Sequence, residues 1–294
     1  MRILDTTNLN SSDISYLRIF CPICGSQDGT YIKKRYYFRN ITETERLWRC
    51  DDCKIISINP FPDEKYIYKM YSSNDYLKSY QEQHIDYIGG MDSVSYYLKD
   101  RLKEIEGLAG SSGRILDVGS GSGVFLAYAQ SMGWDVYGTE ITKWGIEHAK
   151  EKFGLNLFFG DLASAKYKDN FFDVVHINHV LEHVYNPMSL IIEIKRVLKP
   201  DGYLYIEVPQ EIFPLSESLK FYLSYKSRSE FWHKMILKNR VKIQENLPYS
   251  LHLYFFTVKS IKKFLISNKF GILNVRTVRR NKESDRFDYK KERI

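Results

Sequence analysis

The residues with the most evident capacity for chemistry stand at Asp117–Gly123, which reads D-V-G-S-G-S-G. A short apolar run, Ile115–Val118, leads into it and predicts a buried parallel strand. Alternate glycines follow, and because glycine has no Cβ, backbone N–H groups there can approach a bound ligand closely. A predicted helix from Val124 adds the positive end of its dipole. The stretch therefore predicts a site for a nucleotide-type ligand.

The spacing of the glycines narrows the class of nucleotide. The dinucleotide fingerprint needs glycine at its first, third and sixth positions. Gly119 and Gly121 supply the first two, but Val124 occupies the sixth, which argues against an NAD site. No G-K-[ST] is present, so a P-loop is excluded. Glu140 ends a second apolar run that starts at Trp134, and a carboxylate there suits ribose hydroxyls.

Three further motifs continue the pattern in a fixed order. After D-V-G-S-G-S-G come G-T-E at 138–140, G-D-L at 160–162 and F-D-V-V-H-I-N-H-V-L-E-H-V at 172–184. In this order the motifs resemble those of the Rossmann-like, class I S-adenosylmethionine-dependent methyltransferases. The resemblance implies an α/β fold with a doubly wound, mostly parallel sheet, and it implies S-adenosylmethionine as the cofactor.

The resemblance also implies how the cofactor is held. In the family the glycine turn lies against the methionine moiety, and the acid before it anchors the motif or reaches the methionine amine. The acid of the second motif takes the ribose hydroxyls, the third motif takes the adenine edge, and residues just past the fourth strand border the methyl donor. The matching cofactor-binding positions in this sequence are Asp117, Gly119, Ser120, Gly121, Glu140, Asp161, Leu162 and Asn178. Asp161 has an alternative, since Asp after Gly is also ordinary turn or helix-cap chemistry.

Histidines follow the fourth predicted strand in H-V-L-E-H. Methyl transfer from a sulfonium is an in-line displacement, so the protein supplies alignment, plus a base if the acceptor is a hydroxyl. His179 is the leading candidate for that base and His183 the second, because imidazole accepts a proton near neutral pH. Either could instead cap a helix or pack. With Glu182 and His252 they could also hold a divalent metal, as similar residues do in ubiquinone-pathway O-methyltransferases and small-RNA 2′-O-methyltransferases.

All the cysteines of the chain fall in two C-x-x-C pairs, C-P-I-C-G and C-D-D-C. Four thiolates in two such pairs suit a tetrahedral Zn²⁺ in a closed structural site. Disulfides are the alternative, and a cytoplasmic setting disfavours them. The predicted ligands are Cys21, Cys24, Cys50 and Cys53. With no open coordination position, this metal would hold a small domain together and take no part in catalysis.

The chain is expected to contain a ribbon, a cap and a larger domain. Residues 1–62 would form the zinc ribbon after a disordered start, residues 63–110 a helical linker or cap, and residues 111–294 the methyltransferase domain, with an insertion at 210–250. Strands and helices alternate from residue 115, which predicts a parallel sheet with helices on both faces and ligands at the carboxyl ends of its strands. No final hairpin strand is evident in the basic tail.

Tyrosines crowd the predicted cap, and they include Tyr71 and Tyr76. A ribbon followed by Y-S-S-N-D-Y resembles the amino-terminal part of zinc-containing deoxysugar C-methyltransferases. In that group a tyrosine of this region borders the active site, which makes Tyr76 a candidate catalytic residue. The alternative is aromatic packing of a cap helix. The chain departs from the group by lacking its large carboxy-terminal domain.

Charge and hydropathy limit the classes of partner and the expected location of the protein. The formal net charge of +7 allows an anionic partner such as nucleic acid, a sugar nucleotide or a phospholipid surface, or simply a solvated face. The amino terminus lacks a signal-peptide core and no apolar run is long enough to span a bilayer, so the protein is expected in the cytoplasm. The oligomeric state is not predicted.

The favoured function is methyl transfer to a small-molecule or saccharide acceptor, at a hydroxyl or a sugar carbon. One alternative is a ribosomal or transfer RNA methyltransferase that grips RNA through the ribbon. The absence of N-P-P-Y and D-P-P-Y argues against it. Another alternative is a catalytically inactive binding module.

Overall fold

The protein's structure is a computed structural model that describes seven stretches of the chain. These are residues 20–32, 46–59, 61, 96–110, 112–209, 252–280 and 287–291. The chain divides into two compact units, the ribbon unit, drawn from Met1–Lys69 and Gln210–Phe264, and the sheet unit, drawn from Met70–Pro209 and Leu265–Ile294. Tyr76, most of the predicted cap and the 210–250 insertion lie outside the described residues.

The strands are β1 (Gly29–Ile32), β2 (Arg46–Cys50), β3 (Ile56–Asn59), β4 (Arg114–Val118), β5 (Asp135–Glu140), β6 (Phe158–Phe159), β7 (Phe172–Asn178), β8 (Leu198–Glu207), β9 (Tyr254–Phe255), β10 (Arg276–Arg280) and β11 (Phe287–Lys291). The helices are α1 (Tyr96–Ala109), α2 (Val124–Ser131), α3 (Lys143–Phe153), α4 (Leu162–Ala165), α5 (Pro187–Val197) and α6 (Val258–Ser267).

The ribbon unit contains an antiparallel sheet in the order β1-β2-β3-β9. Its fourth strand comes from the far end of the chain, where Ile56 pairs with Phe255 and the Leu253 carbonyl accepts a hydrogen bond from Ile58 N at 3.1 Å. Trp48 is buried against β1, and a Cβ on Gly29 would lie 2.1 Å from its ring. Sequence reasoning did not anticipate that β9 would join this sheet.

The sheet unit is organised around five parallel strands in the order β6-β5-β4-β7-β8. The predicted α/β class is confirmed. Parallel strands covered by helices are buried on both faces, so they are continuously apolar. Ile115 and Leu116 in β4 and Val174, Val175 and Ile177 in β7 are fully buried in agreement with this.

The strand order places a topological switch point between β4 and β7. The chain runs outward from β4 through β5 to β6, then crosses back and continues on the other side through β7 and β8. Loops after β4 and β7 therefore leave in opposite directions and open a crevice at the carboxyl ends of the strands. This crevice is where the glycine turn after β4 and the histidines after β7 begin.

Local signals in the sequence set several helix boundaries. Thr142 caps α3 by accepting a hydrogen bond from Gly145 N, and Gly154 ends it in the left-handed conformation, with φ 68°. Asn186 caps α5 ahead of Pro187, a residue suited to a first helical turn. Thr257 caps α6, with Oγ1 accepting a hydrogen bond from Ser260 N at 3.2 Å.

β8 is irregular at its start, and the tail of the chain differs from the prediction. β8 begins at Leu198. Its register with β7 shifts between Phe172 and Val174, so the turn residues near Pro200 are accommodated as an irregularity. β10 and β11 pair antiparallel in the tail where no hairpin was evident, since their many charges hide the alternation typical of strands. Within the described ranges, no helix combines the length and apolar character needed to cross a bilayer.

Candidate functional site

The glycine turn after β4 is fixed by backbone hydrogen bonds to the neighbouring strand. Gly119 N and Ser120 N both donate to the Thr139 carbonyl, at 2.8 and 3.0 Å. Gly119 has a φ of 71°, a conformation that favours glycine. A Cβ on Gly119 would also lie 2.5 Å from the Val180 side chain. The turn thus approaches the Val180 side chain more closely than a residue with a Cβ could.

Glu140 ties this turn to the end of β5. Its carboxylate is buried and accepts hydrogen bonds from Gly121 N, Thr142 N and Thr142 Oγ1, all at 2.8 Å. Burial raises the pKa of Glu140 above its ordinary value, and the hydrogen bonds oppose that shift. Glu140 therefore joins the glycine turn to the start of α3.

Asp117, near the end of β4, is paired with a histidine. Its Oδ1 lies 2.6 Å from His176 Nδ1, and both side chains are buried. The two residues are register partners on β4 and β7. Sequence reasoning did not single out His176, although a polar ring inside the apolar run of β7 was a usable signal.

A buried arginine on α1 connects the ends of β7 and β8. Arg101, 1% exposed, donates from Nη2 to Glu207 Oε2 at 2.6 Å and to Asn178 Oδ1 at 3.3 Å. Tyr97 OH also donates to Glu207, as does Tyr205 OH at 3.1 Å. Sequence reasoning missed this network.

A signal for Arg101 was present in the helix itself. Leu98, Leu102 and Ile105 form the buried stripe of α1, and Arg101 lies on the same stripe by its spacing. A charge on the apolar face of a helix predicts a buried partner. The sequence does not say which acid that partner is, because Glu207 is distant along the chain.

The residues after β7 bring a histidine and a carboxylate together. His179 Nδ1 lies 3.2 Å from Glu182 Oε1, and His183 Nε2 lies 3.8 Å from the same oxygen. The His179 side chain is 55% exposed while that of Glu182 is fully buried. Desolvation favours the neutral imidazole, but the Glu182 carboxylate outweighs it and raises the pKa of His179. The arrangement places an oriented imidazole beside the crevice.

The remaining predicted site residues are distributed as follows. Asp161 is exposed and caps α4, with Oδ1 accepting from Ser164 N at 2.7 Å, so the helix-cap interpretation is observed. Leu162 is buried directly after it. His252, the fourth residue of the possible second metal site, belongs to the ribbon unit. Tyr76 lies outside the described residues.

Comparison with known proteins identifies the family. Residues 91–273, more than half of the chain, match a family described as methyltransferase domain.

The chain belongs to this methyltransferase family.

Curated relatives match part of the chain. The ubiquinone biosynthesis O-methyltransferase of Haemophilus ducreyi is 31% identical over 135 residues, which are 42% of this chain and 55% of that protein. The protein of the same name from Actinobacillus pleuropneumoniae is 30% identical over the same length, with the same coverage. The chain thus spans about half the length of the curated relatives it matches.

A solved structure supports the fold of the chain. The crystal structure of a SAM-dependent methyltransferase, possible histamine N-methyltransferase, from Thermotoga maritima has a TM-score of 0.52 to this chain. The two are 17% identical, and the match covers 78% of this chain and 94% of the other. At that identity the likeness shows the fold alone.

The chain also contains a cluster of four thiols in its ribbon unit. Cys21 Sγ lies 3.4 Å from Cys53 Sγ, Cys24 Sγ lies 3.6 Å from Cys50 Sγ, and all four ligand atoms lie within 4.8 Å of one another. None of these cysteines forms a disulfide. A hydrogen bond from Cys53 lowers the pKa of Cys21 to about 5, so a thiolate is available at neutral pH.

Each C-x-x-C pair is followed by a turn of the same type. Gly25 N donates to the Cys21 carbonyl at 2.9 Å, and Lys54 N donates to the Cys50 carbonyl at 3.2 Å. Gly25 and Lys54 both have positive φ, of 74° and 64°. Two equivalent turns thus direct two pairs of thiols to one point, and the four close cysteines fit a small ribbon.

Gly145 provides a structural test of the contact between the glycine turn and Glu140. A Cβ at this position would lie 2.6 Å from the Gly121 carbonyl and 2.8 Å from Glu140 Cγ. We expect Gly145→Ala to lower the free energy of unfolding by about 1–3 kcal/mol in urea denaturation, because backbone must move to admit the methyl group.

Gly107→Ala is the matched control. A Cβ on Gly107 meets nothing within 4 Å, and Gly107 lies inside α1. Alanine should therefore leave stability unchanged or raise it by up to about 1 kcal/mol. Equal stabilities for the two variants would contradict the close packing around Glu140.

Proposed function

We propose that this chain is an S-adenosylmethionine-dependent methyltransferase acting on a small-molecule or saccharide acceptor. The observation that carries the proposal is the buried Glu140 carboxylate held against a glycine turn at the switch point of a methyltransferase-family sheet. A backbone turn and a carboxylate at this place suit the sugar and the amino-acid portion of a nucleoside ligand.

The residues present fit the cofactor. The backbone of the glycine turn would lie against the methionine moiety, and the Asp117 carboxylate, near the end of β4 just before it, would meet the methionine ammonium. Glu140 would accept from the ribose hydroxyls, and Asp161 with the backbone at Leu162 would meet the adenine edge. Exposed apolar side chains at the ends of β5 and β6 suit the faces of that ring. They are Ile141 and Phe159.

When bound, the cofactor supplies a methyl group already activated by a sulfonium. The protein's part is to align the acceptor, to exclude water and to receive a proton if the acceptor is a hydroxyl. His179 suits that last role because its ring is exposed beside the crevice and Glu182 orients it through Nδ1, leaving Nε2 to accept the proton. Asn178, held by Arg101, would border the methyl group.

The names of the curated relatives support a small-molecule acceptor. Both relatives above are ubiquinone biosynthesis O-methyltransferases, so a hydroxyl of a small molecule is the first acceptor to test. A sugar hydroxyl or sugar carbon is the second. Labelled methyl donor added to the purified chain with fractionated small molecules, glycosides and RNA would identify the acceptor class, and label in RNA would overturn the proposal.

We also propose that the four thiols hold one structural Zn²⁺. Tetrahedral zinc with bonds of about 2.3 Å needs sulfur atoms about 3.8 Å apart. The Sγ separations of 3.4 and 3.6 Å within the cluster are near that value. Four cysteine ligands leave no position for substrate, so the metal would stabilise the ribbon.

Cofactor binding tests the main proposal. Isothermal titration calorimetry with S-adenosylhomocysteine should show one site on the unaltered chain, and Asp117→Ala and Glu140→Ala should abolish measurable binding. His179→Ala should bind as the unaltered chain does. An unaltered chain that binds no S-adenosylhomocysteine, or that binds a nicotinamide nucleotide instead, would overturn the proposed function.

The pH dependence of turnover tests His179 as the base. His179→Ala should lower kcat about a hundredfold or more, because a general base contributes that much. In the unaltered chain activity should fall as pH decreases through the raised pKa of His179, since only the neutral ring accepts a proton.

Glu182→Gln removes the charge that raises the pKa of His179, so the acidic limb of the pH profile should move to lower pH. Its fold is checked first by circular dichroism, because the side chain of Glu182 is fully buried. Full turnover by His179→Ala, or an unmoved acidic limb in a folded Glu182→Gln protein, would remove His179 from the base role.

Metal content tests the ribbon. Inductively coupled plasma mass spectrometry should find one zinc per chain, and Cys50→Ser should lose it, because three thiolates bind zinc far more weakly than four. A purified chain without zinc would contradict the structural site. Two zinc ions per chain would instead support the second metal at the histidines after β7.

A further inference from the structure

His176 is a buried histidine to which the proposed reaction gives no role. It lies within β7, 1% exposed, between the fully buried Val175 and Ile177. Its Nδ1 lies 2.6 Å from Asp117 Oδ1, the short separation typical of a hydrogen bond to a charged group. An apolar residue would fill the same space without the cost of burying a polar ring.

The imidazole is held in one plane by two aromatic rings that stack on it. Phe125 stacks at 4.2 Å between centroids with an angle of 28°, and Tyr205 stacks at 5.6 Å with an angle of 27°. Tyr205 is also its register partner on β8, as Asp117 is on β4. The two stacks fix the plane of the ring, and within that plane the hydrogen bond with Asp117 keeps Nδ1 directed at the carboxylate.

Within the described part of the chain, Asp117 is the only hydrogen-bond partner of the His176 ring. His176 Nε2 is buried and has no hydrogen-bond partner there. Since one nitrogen has no partner and the other meets Asp117, the polar character of the side chain serves Asp117 alone. A carboxylate has two oxygens, so fixing one of them also fixes the direction of the other.

We propose that His176 is a positioning residue that orients the Asp117 carboxylate toward the ammonium group of the methyl donor's amino-acid portion. The inference rests on the proposed function, because it needs that portion to lie against the glycine turn. The inference goes beyond the proposed function because it assigns recognition of one chemical group, the donor ammonium, to a pair of buried residues on two strands.

Two ligands separate positioning from general support of the fold. S-adenosylhomocysteine carries the amino-acid portion, whereas 5′-methylthioadenosine has the same nucleoside and thioether without it. By calorimetry, His176→Phe should weaken S-adenosylhomocysteine about tenfold or more, because a hydrogen bond to a charged group is lost. It should leave the affinity for 5′-methylthioadenosine within about twofold, because the aromatic stack is kept.

His176→Asn is the conservative variant, because its side-chain amide can donate from near the position of Nδ1, and it should restore part of the lost affinity. Tyr205→Phe is the matched control. It keeps the ring against His176 and removes only the hydroxyl contacts with Glu104 and Glu207. Both ligands should bind this control as they bind the unaltered chain.

The outcomes distinguish a failure of the proposed function from a failure of the positioning role of His176. If the unaltered chain binds neither ligand, the proposed function fails. If it binds both, and His176→Phe weakens both equally or neither, the positioning role is overturned. A loss in Tyr205→Phe equal to that in His176→Phe would overturn it as well.

A measurement on the unaltered chain covers the case in which the variants do not fold. In protein labelled with ¹⁵N-histidine, the buried Nδ1–H resonance should shift with S-adenosylhomocysteine and not with 5′-methylthioadenosine. Equal responses to the two ligands would overturn the inference.

Discussion

The hydrogen bonds of the buried Glu140 carboxylate are the interaction on which the rest of the site depends. Its oxygens accept from Gly121 on one side and from Thr142 on the other, so one side chain joins the turn after β4 to the start of α3. A buried carboxylate without such donors would cost several kcal/mol. The donors in turn need the glycine turn, the Thr142 cap and the bare Gly145 to approach one another. None of these features persists without the others.

A second constraint is the polar network on the sheet beneath the crevice. Asp117 is paired with His176, and Arg101 joins Asn178 to Glu207. In surroundings of low dielectric such pairs interact strongly, but each partner left alone becomes an uncompensated buried charge or dipole. Groups that would meet the ligand are therefore prearranged, which reduces the ordering cost of binding.

Sequence reasoning succeeded where a signal is local. The apolar run Ile115–Val118 predicted β4, and the spacing of Gly119 and Gly121 identified the turn that follows it. It failed where the partner is remote. No local sequence pattern predicts that Tyr254 pairs with Ser57, because a strand of two residues is too short to show an alternation of apolar and polar residues. The position of Arg101 on the apolar face of α1 predicts a buried acidic partner. Identifying Glu207 as that partner requires knowing how α1 and β8 pack together.

The pairing of β3 with β9 has a consequence for the order of events during synthesis. Ile56–Asn59 leaves the ribosome early, whereas Tyr254–Phe255 emerges only after the whole parallel sheet has been translated. At about 5–20 residues per second, that interval lasts on the order of ten seconds or more. Until β9 has been synthesised, the backbone N–H and C=O groups on that edge of β3 lack their strand partner. Such an edge can pair with a chaperone or with a neighbouring nascent chain. The ribbon sheet is thus begun before the parallel sheet is synthesised and completed after it.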